Sequence, residues 1–290
     1  MRVKRSDRVR VLALDIDGTL LNSRKEISPR NLRAIADAID AGVRVALVTG
    51  RRHPAARRIA DLLPGDPPMI LHNGGLVIEK ASPIRVKPLD RGTASDVVRF
   101  AKAMNADPVV HFGHEGEGLL YVETTSPSHT LLAYYLNRSH PDVRLVPSLE
   151  DALAKEREDP LQVMFGGSMN EMQQLAAAIE AASFPAAALR TVYPEDDLSL
   201  IDVVAPSVDK AEALAFLCST WGFGLPDVLA IGDNWNDRSM LMEAGRGCVM
   251  GNADPGLRAL GLDVLPSNDE DGVAWAVERF ILGAPFPNAQ

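Results

Sequence analysis

Three short apolar runs separated by two amphipathic stretches open this chain, and few folds can absorb that alternation. Val9–Leu14 is interrupted only by Arg10, Val43–Val48 is β-branched and apolar, and Met69–Leu71 repeats the pattern. Each run is too short for a helix and too uniformly apolar for a strand with one wet face, so each reads as a parallel strand buried on both sides. Between the first two, Leu32, Ile35, Ala36 and Ile39 recur at helical spacing over Pro29–Ala41, and a second helix is expected over Pro54–Leu63. Strand, crossover helix and strand again is the opening of a doubly wound α/β sheet.

The rhythm changes after Gly75. A hairpin, a helix over Thr93–Met104, strands at Pro108–Phe112 and Leu119–Glu123, and a helix over Ser128–Arg138 are expected. Strand Gln162–Phe165, helix Asn170–Ala182 and strands Ala187–Tyr193 and Leu198–Val204 follow. Strands joined by short turns imply an antiparallel sheet with helices on one face, a separate α+β module. Beyond Pro206 the alternation resumes, with helix Lys210–Trp221, strand Val228–Ile231, helix Arg238–Ala244, and strands Cys248–Met250 and Asp263–Leu265. Helix Gly272–Leu282 closes the series. The expected organisation is one core domain, residues 1–88 and 206–290, with an α+β domain inserted at 89–205.

Composition narrows the partners. With 39 acidic residues against 30 Lys and Arg, the net charge is -9, which disfavours nucleic acid and anionic membrane surfaces. The basic start Met1–Arg10 does not develop into a secretory signal, because Asp15 and Asp17 interrupt the apolar run. No stretch is apolar for long enough to span a membrane. Two cysteines, Cys218 and Cys248, suit a reducing compartment and offer no metal framework. A cytoplasmic protein is expected.

Chemistry concentrates where strands end. Asp15-Ile16-Asp17-Gly18-Thr19-Leu20 follows the first strand, and in extended chain two residues two apart project to one side. Two carboxylates there repel one another, and a hard divalent cation such as Mg²⁺ relieves the repulsion. A turn with two solvated acids is the plain alternative. A calcium loop fails, since Leu20 stands where that loop turns on glycine and a strand precedes it where a helix is needed. Thr49-Gly50-Arg51 ends the second strand and opens a helix, suiting either an oxyanion or a simple helix cap. Arg51 could reach an anionic substrate or belong with Arg52, Arg57 and Arg58 to a solvated helix face. Gly232-Asp233-Asn234-Trp235-Asn236-Asp237 places acids and amides after a third strand. If these strands run parallel, Asp15, Thr49 and Asp233 gather on the sheet edge where open α/β folds bind ligands. Lys210, one of seven lysines, could balance those acids or hold a phosphate oxygen. The six histidines show no metal-ligand spacing, and Trp221, Trp235 and Trp275 are expected to be core or helix-packing residues.

These residues resemble the haloacid dehalogenase-like phosphatase superfamily, in particular its Cof-type branch. The likeness rests on Asp15-Ile-Asp-Gly-Thr, Thr49-Gly-Arg, Lys210 and Gly232-Asp-Asn-Trp-Asn-Asp, in that order. Asn73-Gly74-Gly75, Met250-Gly251-Asn252-Ala253 and Ser267-Asn268-Asp269-Glu270-Asp271-Gly272-Val273 support it. Ala211 after the lysine and Gly75 in place of alanine depart from the usual pattern of the branch. The resemblance implies a Rossmann-like core with an inserted cap. It implies Asp15 as nucleophile and Asp17 as general acid and base. Mg²⁺ would be held by Asp15, the Asp17 carbonyl and Asp233, with Asp237 in support. Thr49 and Lys210 would hold phosphoryl oxygens, while Gly18, Thr19, Gly50, Arg51, Asn236 and Asn252 would line or orient the substrate side. The implied activity is hydrolysis of a small phosphorylated metabolite, a sugar phosphate being the expected class, with the insertion as a selecting lid. A phosphomutase, a sugar-conjugate phosphatase, or a silent binding protein on the same fold are the alternatives.

Overall fold

The structure, a computed structural model, describes residues 9–124 and 142–283. The chain divides into two compact units, one comprising Met1–Arg51, Ala55–Ser82 and Asp209–Gln290 and the other Arg52–Pro54 and Pro83–Val208.

In the first unit, β1 (Val11–Leu14), β2 (Arg44–Val48) and β3 (Met69–Leu71) are followed by β4 (Leu76–Glu79) and β5 (Ser82–Val86), which carries the chain into the second unit. After the return come β12 (Val228–Gly232), β13 (Arg246–Val249) and β14 (Asp263–Val264). The sheet order is β14-β13-β12-β1-β2-β3-β4-β5. β1 lies centrally and pairs in parallel with β12 and β2, Leu14 standing beside Ile231 on one side and Leu47 on the other. The carboxyl ends of the three motif-bearing strands are therefore neighbours. β4 runs antiparallel to β3, so the hairpin after Gly75 extends the core sheet.

Helices cover both faces. Val11, Ala13, Ala46, Val48, Val228 and Ala230 share one apolar cluster with residues of two helices, Lys210–Thr220 and Arg238–Glu243. Helix α1 (Pro29–Asp40) packs against the last helix, Gly272–Phe280, and the buried Asn31 side chain accepts a 2.9 Å bond from the Ala274 amide. Burial on both faces is the reason these strands are apolar along their length, apart from the exposed Arg44 that opens β2. Helix α2 spans His53–Ala60, three residues shorter at its end than the expected Leu63.

In the second unit, α3 (Arg91–Ala103), β6 (Val109–Phe112) and β7 (Leu119–Glu123) precede β8 (Val143–Val146) and α4 (Leu149–Lys155). Then come β9 (Gln162–Gly167), α5 (Met169–Ala182), β10 (Ala187–Tyr193) and β11 (Leu198–Val204). The order β10-β11-β9-β6-β7-β8 is antiparallel except at one edge, where β8 runs parallel to β7 with Leu120 beside Val143. That corrects the all-antiparallel expectation. Neither β8, with its exposed Arg144 and Leu145, nor the seven-residue α4 carries enough periodicity to be read from sequence. The helices pack on one face through Val97, Val98, Leu153, Leu175 and Ile179. The helix expected at Ser128–Arg138 lies outside the described residues.

The remaining helices of the first unit are α6 (Lys210–Thr220), α7 (Arg238–Glu243), α8 (Pro255–Arg258) and α9 (Gly272–Phe280). No helix among the described residues is long and apolar enough to cross a membrane.

Candidate active site

The site is assembled by strand ends. The amide of Asp15 continues the β1 pairing by donating to the Ile231 carbonyl at 3.0 Å, which places its carboxylate beside the turn after β12. Lys210 Nζ donates to Asp15 Oδ1 at 2.8 Å and to Asp237 Oδ1 at 2.5 Å. The lysine is 1% exposed. It stands there because Asp209 caps α6, its side chain accepting from the amides of Ala211 and Glu212, so the helix begins with Lys210 aimed at β1.

The acidic loop is held from within. Asp237 Oδ2 accepts from the amides of Asp233 and Asn234, both at 3.0 Å, while Asp233 Oδ1 accepts from the Thr19 hydroxyl at 2.7 Å. A Cβ on Gly18, whose φ is +76°, would lie 2.2 Å from Asp233 Oδ2, so only glycine lets the β1 turn approach this carboxylate. Ligand oxygens of Asp15, Asp233 and Asp237 come within 4.8 Å of one another. Burial, then the neighbouring Asp237, push the Asp15 carboxyl up to about 8, against the pull of Lys210. Burial, then Asp15 and Asp237, likewise hold Asp233 well above the usual carboxylate range. Burial works against the Lys210 ammonium, but Asp15 and Asp237 outweigh it and raise its pKa. Three buried acids with one ammonium are an under-neutralised, all-oxygen set, and a hard divalent cation fits that donor chemistry.

Asp17 faces another way. Its carboxylate is gripped at both oxygens by Arg51, Nε and Nη2 each at 2.6 Å, with Lys25 Nζ at 3.8 Å. Burial would raise its pKa, but the Arg51 bonds and charge prevail and hold it below the usual value. Of the four residues expected at a metal, three carboxylates cluster and that of Asp17 pairs with Arg51 instead; Asp17 was expected there through its carbonyl. Thr49 follows β2 and is buried, its Oγ1 accepting from the Arg51 amide at 3.2 Å.

The expected substrate-side residues are mostly engaged with protein. Thr19 is fully buried against Asp233. Asn236 Nδ2 donates to Asn73 Oδ1 at 2.9 Å, and Asn252 Nδ2 donates to the Gly18 carbonyl at 2.8 Å. Gly50 lies against Asn73, where a Cβ would sit 3.1 Å from Oδ1. Asp209 and Asn73, which contact the site, were not among the site residues expected from sequence. The cap pattern of an acid before an apolar helix could have found Asp209; for Asn73 only an asparagine before two glycines was visible. Trp235, expected in the core or against a helix, is 36% exposed, with its ring beside Gly256 of α8.

Fold and site together define an α/β protein whose buried acids gather where its central parallel strands end. The chain belongs to the haloacid dehalogenase-like hydrolase family, which it matches over residues 12–277. It is 30% identical to the stress response protein YhaX of Bacillus subtilis, over 93% of this chain and 92% of that one. It is 27% identical to the pyridoxal phosphate phosphatase YbhA of Escherichia coli, over 91% and 96% respectively. Among solved structures, BT1666 of Bacteroides thetaiotaomicron, a phosphatase of the haloalkanoate superfamily, shares the fold with a TM-score of 0.78. Identity there is 24%, and the match covers 95% of this chain and 96% of that one. Family and relatives together make the chain a phosphoric monoester hydrolase.

Proposed function

We propose that this protein is a cytoplasmic, Mg²⁺-dependent phosphatase that hydrolyses a small phosphorylated metabolite through an aspartyl-phosphate on Asp15. The observation that carries this reading is the Lys210-bridged cluster of Asp15, Asp233 and Asp237 at the end of the central strand. Its likeness to a pyridoxal phosphate phosphatase supports a small phosphate ester as substrate, and a sugar phosphate is the first class to test. The inserted unit is assigned the role of a lid that excludes water and selects the leaving group.

Asp15 is the nucleophile because it is the acid that directly ends β1, with its carboxylate oriented by Lys210. One of its oxygens forms a bond to phosphorus while the bond from phosphorus to the leaving oxygen breaks. That oxygen takes a proton from the Asp17 carboxyl. Asp17 then accepts a proton from the water that attacks the phosphorus of the acyl phosphate, restoring Asp15 and releasing inorganic phosphate. Arg51 keeps Asp17 ionised in the structure; when Arg51 turns toward a substrate oxyanion, Asp17 takes up from solvent the proton that it then delivers to the leaving oxygen. Lys210 and the Thr49 hydroxyl offer hydrogen bonds to phosphoryl oxygens, over which charge spreads in the transition state. Asp15, Asp233 and the Asp17 carbonyl would hold Mg²⁺, with Asp237 supporting them. Bound there, the ion would neutralise charge on the phosphoryl group.

Hydrolysis of p-nitrophenyl phosphate with and without Mg²⁺, followed by a panel of phosphorylated metabolites, tests the reading. Mg²⁺-dependent release of phosphate is expected. Purified, folded protein that releases none from any member of the panel would overturn it.

A further inference from the structure

The turn after β3 carries none of the groups assigned to the reaction, yet its backbone is the most unusual in the core. His72, Asn73 and Gly74 follow one another at φ of 49°, 55° and 112°. Left-handed backbone is unfavourable for side-chain-bearing residues, least so for asparagine, and here three buried residues in succession adopt it. Their contacts lead to three loops of the site. The His72 amide donates to the Arg51 carbonyl at 3.2 Å and the Asn73 amide to the Thr49 carbonyl at 3.1 Å. The Asn73 side chain lies against Gly50 and accepts the 2.9 Å bond from Asn236 in the acidic loop. Gly74 approaches the Asp209 carbonyl so closely that a Cβ would fall 2.6 Å from it, at the residue that starts the Lys210 helix.

We infer that Asn73 is a positioning residue which, through its amide pair with Asn236, sets the Thr49–Arg51 loop in register with the loop carrying Asp233 and Asp237. Asn73 is 0% exposed and is held between the two loops by the bond from its backbone amide to Thr49, its contact with Gly50 and its side-chain bond from Asn236. The inference rests on the phosphatase reading only for its kinetic consequence. The phosphate-holding loop and the acidic loop come from strands on opposite sides of β1, so no backbone pairing links their tips, and the Asn73–Asn236 bond is a side-chain tie between them.

The test exploits that conformation. Asn73→Gly keeps the backbone geometry without strain and deletes the amide; Asn236→Ala deletes the donor. Each single variant is expected to lower kcat on p-nitrophenyl phosphate about tenfold or more, with KM changed by less than about twofold, since misplacement of reacting groups is felt in the transition state. The double variant should be no slower than the slower single one, because both changes remove the same bond. A second measurement does not need turnover. Amide hydrogen exchange within Thr49–Arg51 should quicken in Asn236→Ala, and exchange within Gly232–Asp237 should quicken in Asn73→Gly. Undiminished kcat in both variants, strictly multiplicative losses, or exchange in each distant loop matching wild type would overturn the inference. Wild-type protein inert toward every phosphate ester would instead remove the phosphatase reading, leaving the exchange measurement to decide the positioning role.

Discussion

Lys210 shows how one buried side chain constrains the chemistry around it. It sits in the interior only because Asp15 and Asp237 each accept a hydrogen bond from it. Replacing it with methionine strands two carboxylates, and removing one partner of a buried ion pair costs about 3–5 kcal/mol. Urea unfolding of metal-free Lys210→Met should show a loss of that order, together with loss of turnover. Asp15→Asn should behave differently. The amide keeps the shape and the contact with Lys210 but cannot form an acyl phosphate, so phosphate release should vanish while the unfolding transition stays cooperative. A variant keeping a tenth of the wild-type rate would remove Asp15 as nucleophile. The raised Asp15 carboxyl adds a pH signature. Between its ordinary 3.8 and its folded value of about 8, the folded state holds a proton that the unfolded chain has released. Without metal, stability should therefore fall as pH rises through that window. Excess Mg²⁺, which favours the ionised carboxylate, should flatten the dependence. A metal-free melting temperature that climbs from pH 5 to pH 8 would contradict the assignment.

Among elements, the start of α6 matters more than its length. Asp209 satisfies the otherwise unpaired amides of Ala211 and Glu212, and its carbonyl meets the turn at Gly74. Asp209→Ala is expected to cost about 1 kcal/mol of stability, the usual loss for an N-cap. It should lower kcat by more than that loss of folded population explains, because the first turn of the helix aims Lys210. Denaturant titration beside kinetics at saturating substrate separates the two effects. The same element shows where local pattern stops being informative. An acid followed by apolar helical spacing announces a capped helix, but not that its first lysine is interior; burial of Lys210 depends on acids 195 and 27 residues away in the chain.

At the scale of the molecule, every group assigned to the chemistry belongs to the first of the two compact units. Excision of residues 89–205 with a short linker should therefore leave Mg²⁺-dependent hydrolysis of a small aryl phosphate while preferences among metabolites collapse. Circular dichroism must first show the shortened chain folded; a folded core inert toward the aryl ester would mean the insertion supplies a catalytic group. In the intact protein a chelator should stop turnover, and Mg²⁺ should restore it while Ca²⁺, which prefers looser and higher coordination, should not.

The central strands were legible because they are buried on both faces, which makes them apolar almost throughout, and the motifs because they fall where those strands stop. Asp15, Thr49 and Asp233 could be placed on one edge from strand direction alone. What the sequence could not decide was which partner each side chain takes. The Asp17 carboxylate turns to Arg51, Thr19 supports Asp233, and Asn73 reaches Asn236, each choice set by approaches between segments far apart in the chain. The edge strand β8 was also invisible, since half-exposed residues at a sheet edge need no alternation. Local chemistry and periodicity are properties of neighbouring residues and survive in the sequence, whereas hydrogen-bond partners across loops exist only once the sheet has brought those loops together.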